Sequence, residues 1–177
     1  MSQELVTYII LGSEERLKKV KIPQSNKTEE YIPANFLNKK DTQKDLDKLV
    51  SSSKGNIIVL LPPSSIPNSK SKEMLKKMSM LDISSWGWFK FDDKKNDFLN
   101  NLKKISSSIT SSPDLQQGIF FNKRLYFSVG GLGKFGRSPF KEISKRFYSR
   151  IDPQNPLPAL IIRSKNFNIF WWITLHL

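Results

Sequence analysis

The sequence predicts a single α+β domain with an antiparallel or mixed sheet, and three observations point there. Residues 5–11 (LVTYIIL) and 56–61 (NIIVLL) are short apolar runs rich in β-branched residues, stopped by Gly12-Ser13 and by Pro62-Pro63. That is the mark of buried strands. Between and after them, apolar residues recur at helical spacing, as in Leu46, Leu49 and Val50, or Met74, Leu75, Met78 and Leu81. The two patterns alternate irregularly and show no internal repeat, which points to helices packed on a mostly antiparallel sheet. At 177 residues and 38% apolar composition, the chain is long enough to bury one real core.

Taken in order, residues 5–11 are the first strand. Leu17, Val20 and Ile22 then alternate with lysines up to Pro23. Residues 41–50 carry the first helical stripe, with Asp41 as the expected N-cap, and 51–55 (SSSKG) end it. After the strand at 56–61, residues 62–72 (PPSSIPNSKSK) have a linker's composition and read as an exposed, flexible loop. The Met74 stripe follows. Residues 86–91 (WGWFKF) read as a strand whose Trp86 and Trp88 share one face over the core. Phe98, Leu99, Leu102 and Ile105 mark a helix across 97–109, and 106–114 is a second flexible stretch. Residues 118–129 (GIFFNKRLYFSV) read as a hairpin turning at Asn122-Lys123. Ser138-Pro139 opens a helix whose Phe140, Ile143 and Phe147 share a face. Proline-rich 152–158 is extended, and 159–162 with 169–175 form a terminal strand pair.

Composition removes several chemistries. There is no cysteine, hence no disulfide, thiolate nucleophile or cysteine-ligated zinc. The one histidine, His176, stands next to the last residue, so acid–base catalysis loses its usual agent. No apolar run approaches the roughly 18–20 residues of a membrane span, and no signal pattern opens the chain. The expectation is a cytoplasmic protein with no membrane partner and no cofactor.

Charge is the strongest lead. Lys+Arg number 29 against 16 Asp+Glu, a formal net charge of +13. From 123 to 150 the cations Lys123, Arg124, Lys134, Arg137, Lys141, Lys145, Arg146 and Arg150 face one acid, Glu142. A patch of one sign concentrates a polyanion and speeds its capture. Aromatics are interleaved with these cations. Tyr126 and Phe135 are the candidates to stack on bases while the cations hold phosphates; the alternative places the rings in the core beneath a solvated charged face.

The glycine-rich stretch 130–138 (GGLGKFGRS) admits three readings. Gly131, Gly133 and Gly136 fit G-x-G-x-x-G, but further βαβ units and a following acid are missing. Gly131 to Ser138 also fit a phosphate loop with Arg137 in the lysine position, a poor exchange of guanidinium for a compact ammonium. In the third reading Gly130, Gly131, Gly133 and Gly136 form a backbone loop lying close to RNA, with Lys134 and Arg137 on phosphates.

That loop resembles the glycine-rich loop of the RAMP superfamily, the RNA-binding subunits of CRISPR effector complexes. Residues 11–16 (LGSEER) with 19–22 (KVKI), and 158–163 (PALIIR), are similar to two further motifs of the family's type III subunits, with Leu11 standing where phenylalanine is usual. The resemblance implies a ferredoxin-like RNA-binding fold and a place among the protein subunits of a larger ribonucleoprotein.

The expected function is therefore non-catalytic nucleic-acid binding, RNA ahead of DNA, through Lys123, Arg124, Tyr126, Lys134, Phe135, Arg137, Lys141, Lys145 and Arg146. Two alternatives stand beside it. Asp82, Asp92 and Lys94 could hold Mg²⁺ and steady a water in a nuclease; alternatively, the basic face meets an acidic protein. Trp171 and Trp172 point to opposite faces of a strand, so an exposed one would mark a partner surface.

Overall fold

Two strands buried along their whole length organise the molecule. The computed structural model describes residues 5–35, 42–81, 83–90, 112–133 and 140–163. Val6–Gly12 form β1 and Ile57–Leu61 form β3, every residue of both buried, as in strands covered on two sides. Between them come helix α1 (Glu14–Lys19), strand β2 (Glu29–Asn35) and helix α2 (Thr42–Ser52). Because each connection carries a helix, the chain returns to the same end of the sheet, and β2 and β3 both pair with β1 in parallel.

After β3 the chain makes a two-residue strand β4 (Ser65–Ile66), helix α3 (Ser69–Met80) and strand β5 (Trp86–Trp88). A 3₁₀ turn (Leu115–Gln117), strand β6 (Ile119–Asn122), helices α4 (Lys123–Ser128) and α5 (Lys141–Tyr148), and strand β7 (Ile161–Ile162) follow. The main sheet runs β2-β1-β3-β6-β5, with β6 antiparallel to both its neighbours. The protein is thus one α+β domain on a five-stranded mixed sheet, parallel in one half. In a split βαβ of ferredoxin-like type an antiparallel strand separates two parallel ones; here β1 and β2 are direct neighbours.

The period-two alternation of β1 divides the core. On one side Ile9 and Leu11 join Ile58, Leu60, Trp86 and Phe121 under Leu46 and Val50 of α2, Leu125 and Tyr126 of α4, and Ile143 and Phe147 of α5. On the other, Tyr8 and Ile10 join Val59, Leu61 and Phe120 under Leu75 of α3, with Leu17 of α1 packed alongside. Trp86 and Trp88 do share the first side, their rings 5.7 Å apart, and the Trp86 indole donates to the Ile151 carbonyl at 2.9 Å.

Both sheet edges are closed. The 152–158 segment is extended, as its prolines predict, and backs β5: Gln154 N–H bonds to the Trp86 carbonyl and Leu157 N–H to that of Trp88. On β2, the Glu29 and Tyr31 amides are taken by the Asn26 and Ser25 side chains, and two residues on Pro33 has no N–H to offer. An edge whose outward donors at 29, 31 and 33 are taken or missing resists pairing with another chain.

Several local expectations are corrected. The alternating segment from Leu17 begins inside α1, whose Glu14 and Glu15 in the first turn and Lys18 and Lys19 in the last suit the helix dipole. The hairpin at 118–129 is instead a strand running straight into a helix. Asn122, read as a turn residue, accepts from the Arg124 and Leu125 amides and caps α4. The 62–72 stretch is no open loop: Pro62, Pro63, Ser65 and Pro67 are buried, and α3 begins at Ser69 on the Asn68 cap. Ser112 and Pro113, at the end of the second expected loop, are buried too. Strand β7 pairs antiparallel with β4; the partner expected at 169–175 and the helix at 97–109 lie outside the described residues. No helix among the described residues is long and apolar enough to cross a membrane.

Candidate nucleic-acid interface

Helices α2, α4 and α5 cover one side of the sheet, and of the 123–150 cations Arg124, Lys141, Lys145 and Arg150 are exposed on or beside them. Lys123, at the start of α4, is half-buried. Its ammonium donates to the Ser51 and Ser53 carbonyls at 2.6 and 2.9 Å, closing the C-terminus of α2 where orphan carbonyls and the helix dipole attract a cation. Tyr126 is enclosed in the core. Its ring stacks on Phe121 with centroids 5.1 Å apart, and its hydroxyl donates to Asp47 Oδ1 at 2.5 Å. Burial first, then the Asp47 carboxylate, push this phenol far above its ordinary pKa. A ring held this way offers no face to a base, so Tyr126 serves the core.

The glycine-rich stretch follows a helix, α4, and not a strand. That removes the strand–loop–helix setting on which the dinucleotide and phosphate-loop readings depend. The Gly130 and Gly131 amides bond back to the Phe127 and Tyr126 carbonyls at 3.1 and 3.0 Å, a helix C-terminal turn of the kind left-handed glycines make. Gly130, Gly131 and Gly133 all have positive φ, 80°, 76° and 77°. At Gly131 an added Cβ would sit 2.6 Å from Asp47 Oδ1, and at Gly133 2.7 Å from an Arg146 nitrogen. Arg146 itself donates from Nη1 to the Gly130 and Val129 carbonyls at 3.1 and 3.3 Å. Asp47, Tyr126 and Arg146 thereby hold the turn in shape. Asp47 and Arg146 are contributed from outside it, and no spacing in the sequence announces Asp47.

What remains for a ligand is the outermost layer. Lys141 and Lys145 stand exposed one turn apart on α5, and Arg150 lies just beyond it; Arg124, on α4, is exposed too but already has an interaction partner. Lys48 is a further exposed cation, on α2. Lys134, Phe135, Gly136 and Arg137 lie outside the described residues, as do Asp82, Asp92, Lys94, Trp171, Trp172 and His176.

The opposite side of the sheet holds a different kind of charge cluster. Glu29, 7% exposed, accepts from the Tyr31 hydroxyl at 2.8 Å, Lys72 Nζ at 2.7 Å and Lys76 Nζ at 3.2 Å. Lys72 also donates to the Tyr31 hydroxyl at 2.8 Å and lies 5.7 and 5.5 Å from the ring centroids of Tyr8 and Tyr31. Burial works to raise the Glu29 pKa, but the hydrogen bonds from Lys72, Tyr31 and Lys76 outweigh it and leave the carboxyl below its ordinary value. Burial and the Glu29 charge raise both tyrosines. Glu29, Tyr31, Lys72 and Lys76 satisfy one another, whereas the buried Tyr8 hydroxyl has no hydrogen-bond partner among the described residues.

No protein-family profile matches the chain, and a search of curated proteins finds no significant match.

Proposed function

We propose that this protein is a non-catalytic nucleic-acid-binding subunit of a larger assembly, taking RNA ahead of DNA on the α2/α4/α5 side of its sheet. One observation carries the reading: this side presents exposed cations that no described acid pairs. On the α1/α3 side, Lys18, Lys72, Lys76 and Lys77 are each in an ion pair with Glu14, Glu29 or Glu73, while Lys19 and Lys70 are exposed without one among the described residues. On the α2/α4/α5 side, Lys48, Lys141, Lys145 and Arg150 are exposed and hold no ion pair with another described residue. A nucleic acid carries condensed cations along its phosphates, and lysines or arginines that neutralise those phosphates release them, which drives binding. The preference for RNA, and for protein subunits as neighbours, rests on the likeness of residues 130–137 to the RAMP glycine loop.

The test is binding of labelled single-stranded RNA across a salt series, with and without Mg²⁺, the RNA then run on a gel. The expected result is affinity that falls steeply with salt while the RNA stays intact. Replacing Lys141 and Lys145 together by Glu should remove about two contacts and flatten the single-strand salt slope by about 1.4. RNA cut only with Mg²⁺ would replace this reading with the nuclease at Asp82, Asp92 and Lys94. Absence of binding at low salt would transfer the basic face to an acidic protein partner.

A further inference from the structure

Among the described residues, the α2/α4/α5 side combines exposed cations with few accessible rings, and that imbalance bears on the kind of nucleic acid it takes. Interleaved aromatics and cations in sequence suggest a single-strand surface, where stacked bases supply much of the affinity. The fold separates the two. Phe120, Phe121, Tyr126, Phe140 and Phe147 are all buried beneath the helices. Tyr148 stands edge-on to Trp86 with ring centroids 4.8 Å apart. Of the described aromatics between 120 and 148, Phe127 alone is exposed, at 46%.

We infer that this face grips double-stranded nucleic acid through its phosphates and does not read bases, an inference that rests on the proposed function above. A surface of point charges gains in proportion to the phosphates it can reach. A duplex presents about one charge per 1.7 Å of axis with its bases already stacked, about twice the density of a single strand. A single strand would have to be repaid for unstacking its bases by rings that, among the described residues, lie mostly inside. Of the exposed Lys48, Lys141, Lys145 and Arg150, three are lysines, which meet phosphate as flexible point charges without arginine's planar fork. Exposed Lys48, Lys141 and Lys145 therefore fit a backbone, on two helices that pack on the same side of one sheet.

The experiment measures fluorescence anisotropy of the intact chain with two RNA duplexes of unrelated sequence and with each of their single strands, over the same salt series. The expected result is that both duplexes bind within about twofold of each other and at least threefold tighter than any single strand. With four contacts the slope should approach about −3.6 at duplex charge density and about −2.8 for a single strand. Phe127→Ala, a change at an exposed ring, should leave duplex binding within twofold. Single strands binding more tightly than duplexes, a tenfold spread between the two duplex sequences, or a loss of fivefold or more in Phe127→Ala would each overturn the inference. Those three results leave the proposed function standing. Failure of every RNA to bind at low salt would overturn both.

Discussion

Glu29→Gln isolates the ion cluster beneath α3 with little change of shape. The carboxylate is 10% exposed in its side chain, and its partners Lys72 and Lys76 are 21% and 30% exposed. The amide keeps one oxygen but loses the charge and the ability to accept on both sides. Charge-assisted hydrogen bonds contribute about 1.5–3 kcal/mol each. The ammonium groups are exposed enough to turn toward water, so most of that is recovered, and the expected net cost is about 2 kcal/mol. For a chain of this length that lowers the melting temperature by about 4–8 °C. The pH dependence follows from the direction of the shift. The folded carboxyl titrates below the ordinary 4.5, so its contribution is complete above that value and disappears as the pH falls through the folded pKa. Urea unfolding followed by tryptophan fluorescence should therefore show the full gap between parent and variant at pH 7 and a shrinking gap below about pH 4.5. A gap that stays constant down to pH 3.5, or a variant as stable as the parent at pH 7, would refute the account of Glu29 as a paired, buried charge.

Three further outcomes are expected. Gly131→Ala should destabilise by about 2–3 kcal/mol, because it combines a positive φ with a Cβ 2.6 Å from Asp47; at Gly130, where the nearest atom would be 3.5 Å away, the cost should be about 1 kcal/mol, so equal urea midpoints would argue against the packed turn. Trp86→Ala, which empties a fully buried ring site and orphans the Ile151 carbonyl, should cost about 3–5 kcal/mol in chemical denaturation. In a spectrophotometric titration at 295 nm, Tyr8, Tyr31 and Tyr126 should stay protonated well above pH 10 while the chain is folded, since burial raises all three. Because the folded state holds those protons more tightly, stability is complete below pH 10 and declines above it; ionisation of all four tyrosines near pH 10 in the folded chain would contradict their placement.

Local pattern revealed the parts of the fold that local chemistry decides. Residues 5–11 and 56–61 form strands because an unbroken apolar run can be satisfied only with both faces covered, and they do. The stripe Leu46, Leu49, Val50 and the trio Phe140, Ile143, Phe147 form helices for the reason their spacing implies, one apolar face turned to a sheet. Pattern failed where one residue serves two geometries. Asn122 suits a hairpin turn and a helix cap equally well, and Pro62 to Asn68 is polar and proline-rich whether it lies open or buried.

For the candidate site, the sequence by itself determined that a charge excess exists and that cysteine chemistry and, for the most part, histidine chemistry are absent, since composition survives any folding. It also placed glycines where a turn was needed. Which cations are available was decided only by tertiary structure. Lys123 and Arg146 carry the same charge in the sequence as Lys141 and Lys145, yet the first two are spent on carbonyls at the ends of α2 and α4. Tyr126 became a core residue for a similar reason: Asp47 arrives from a helix 79 residues away along the chain to meet its hydroxyl. The parallel pairing of β2, β1 and β3 was equally invisible, because strand direction depends on where a crossover helix leaves the chain and not on any residue within the strand. Charge is a property of residues, whereas a charge's freedom to meet a ligand is a property of its neighbours, and neighbours are what folding supplies.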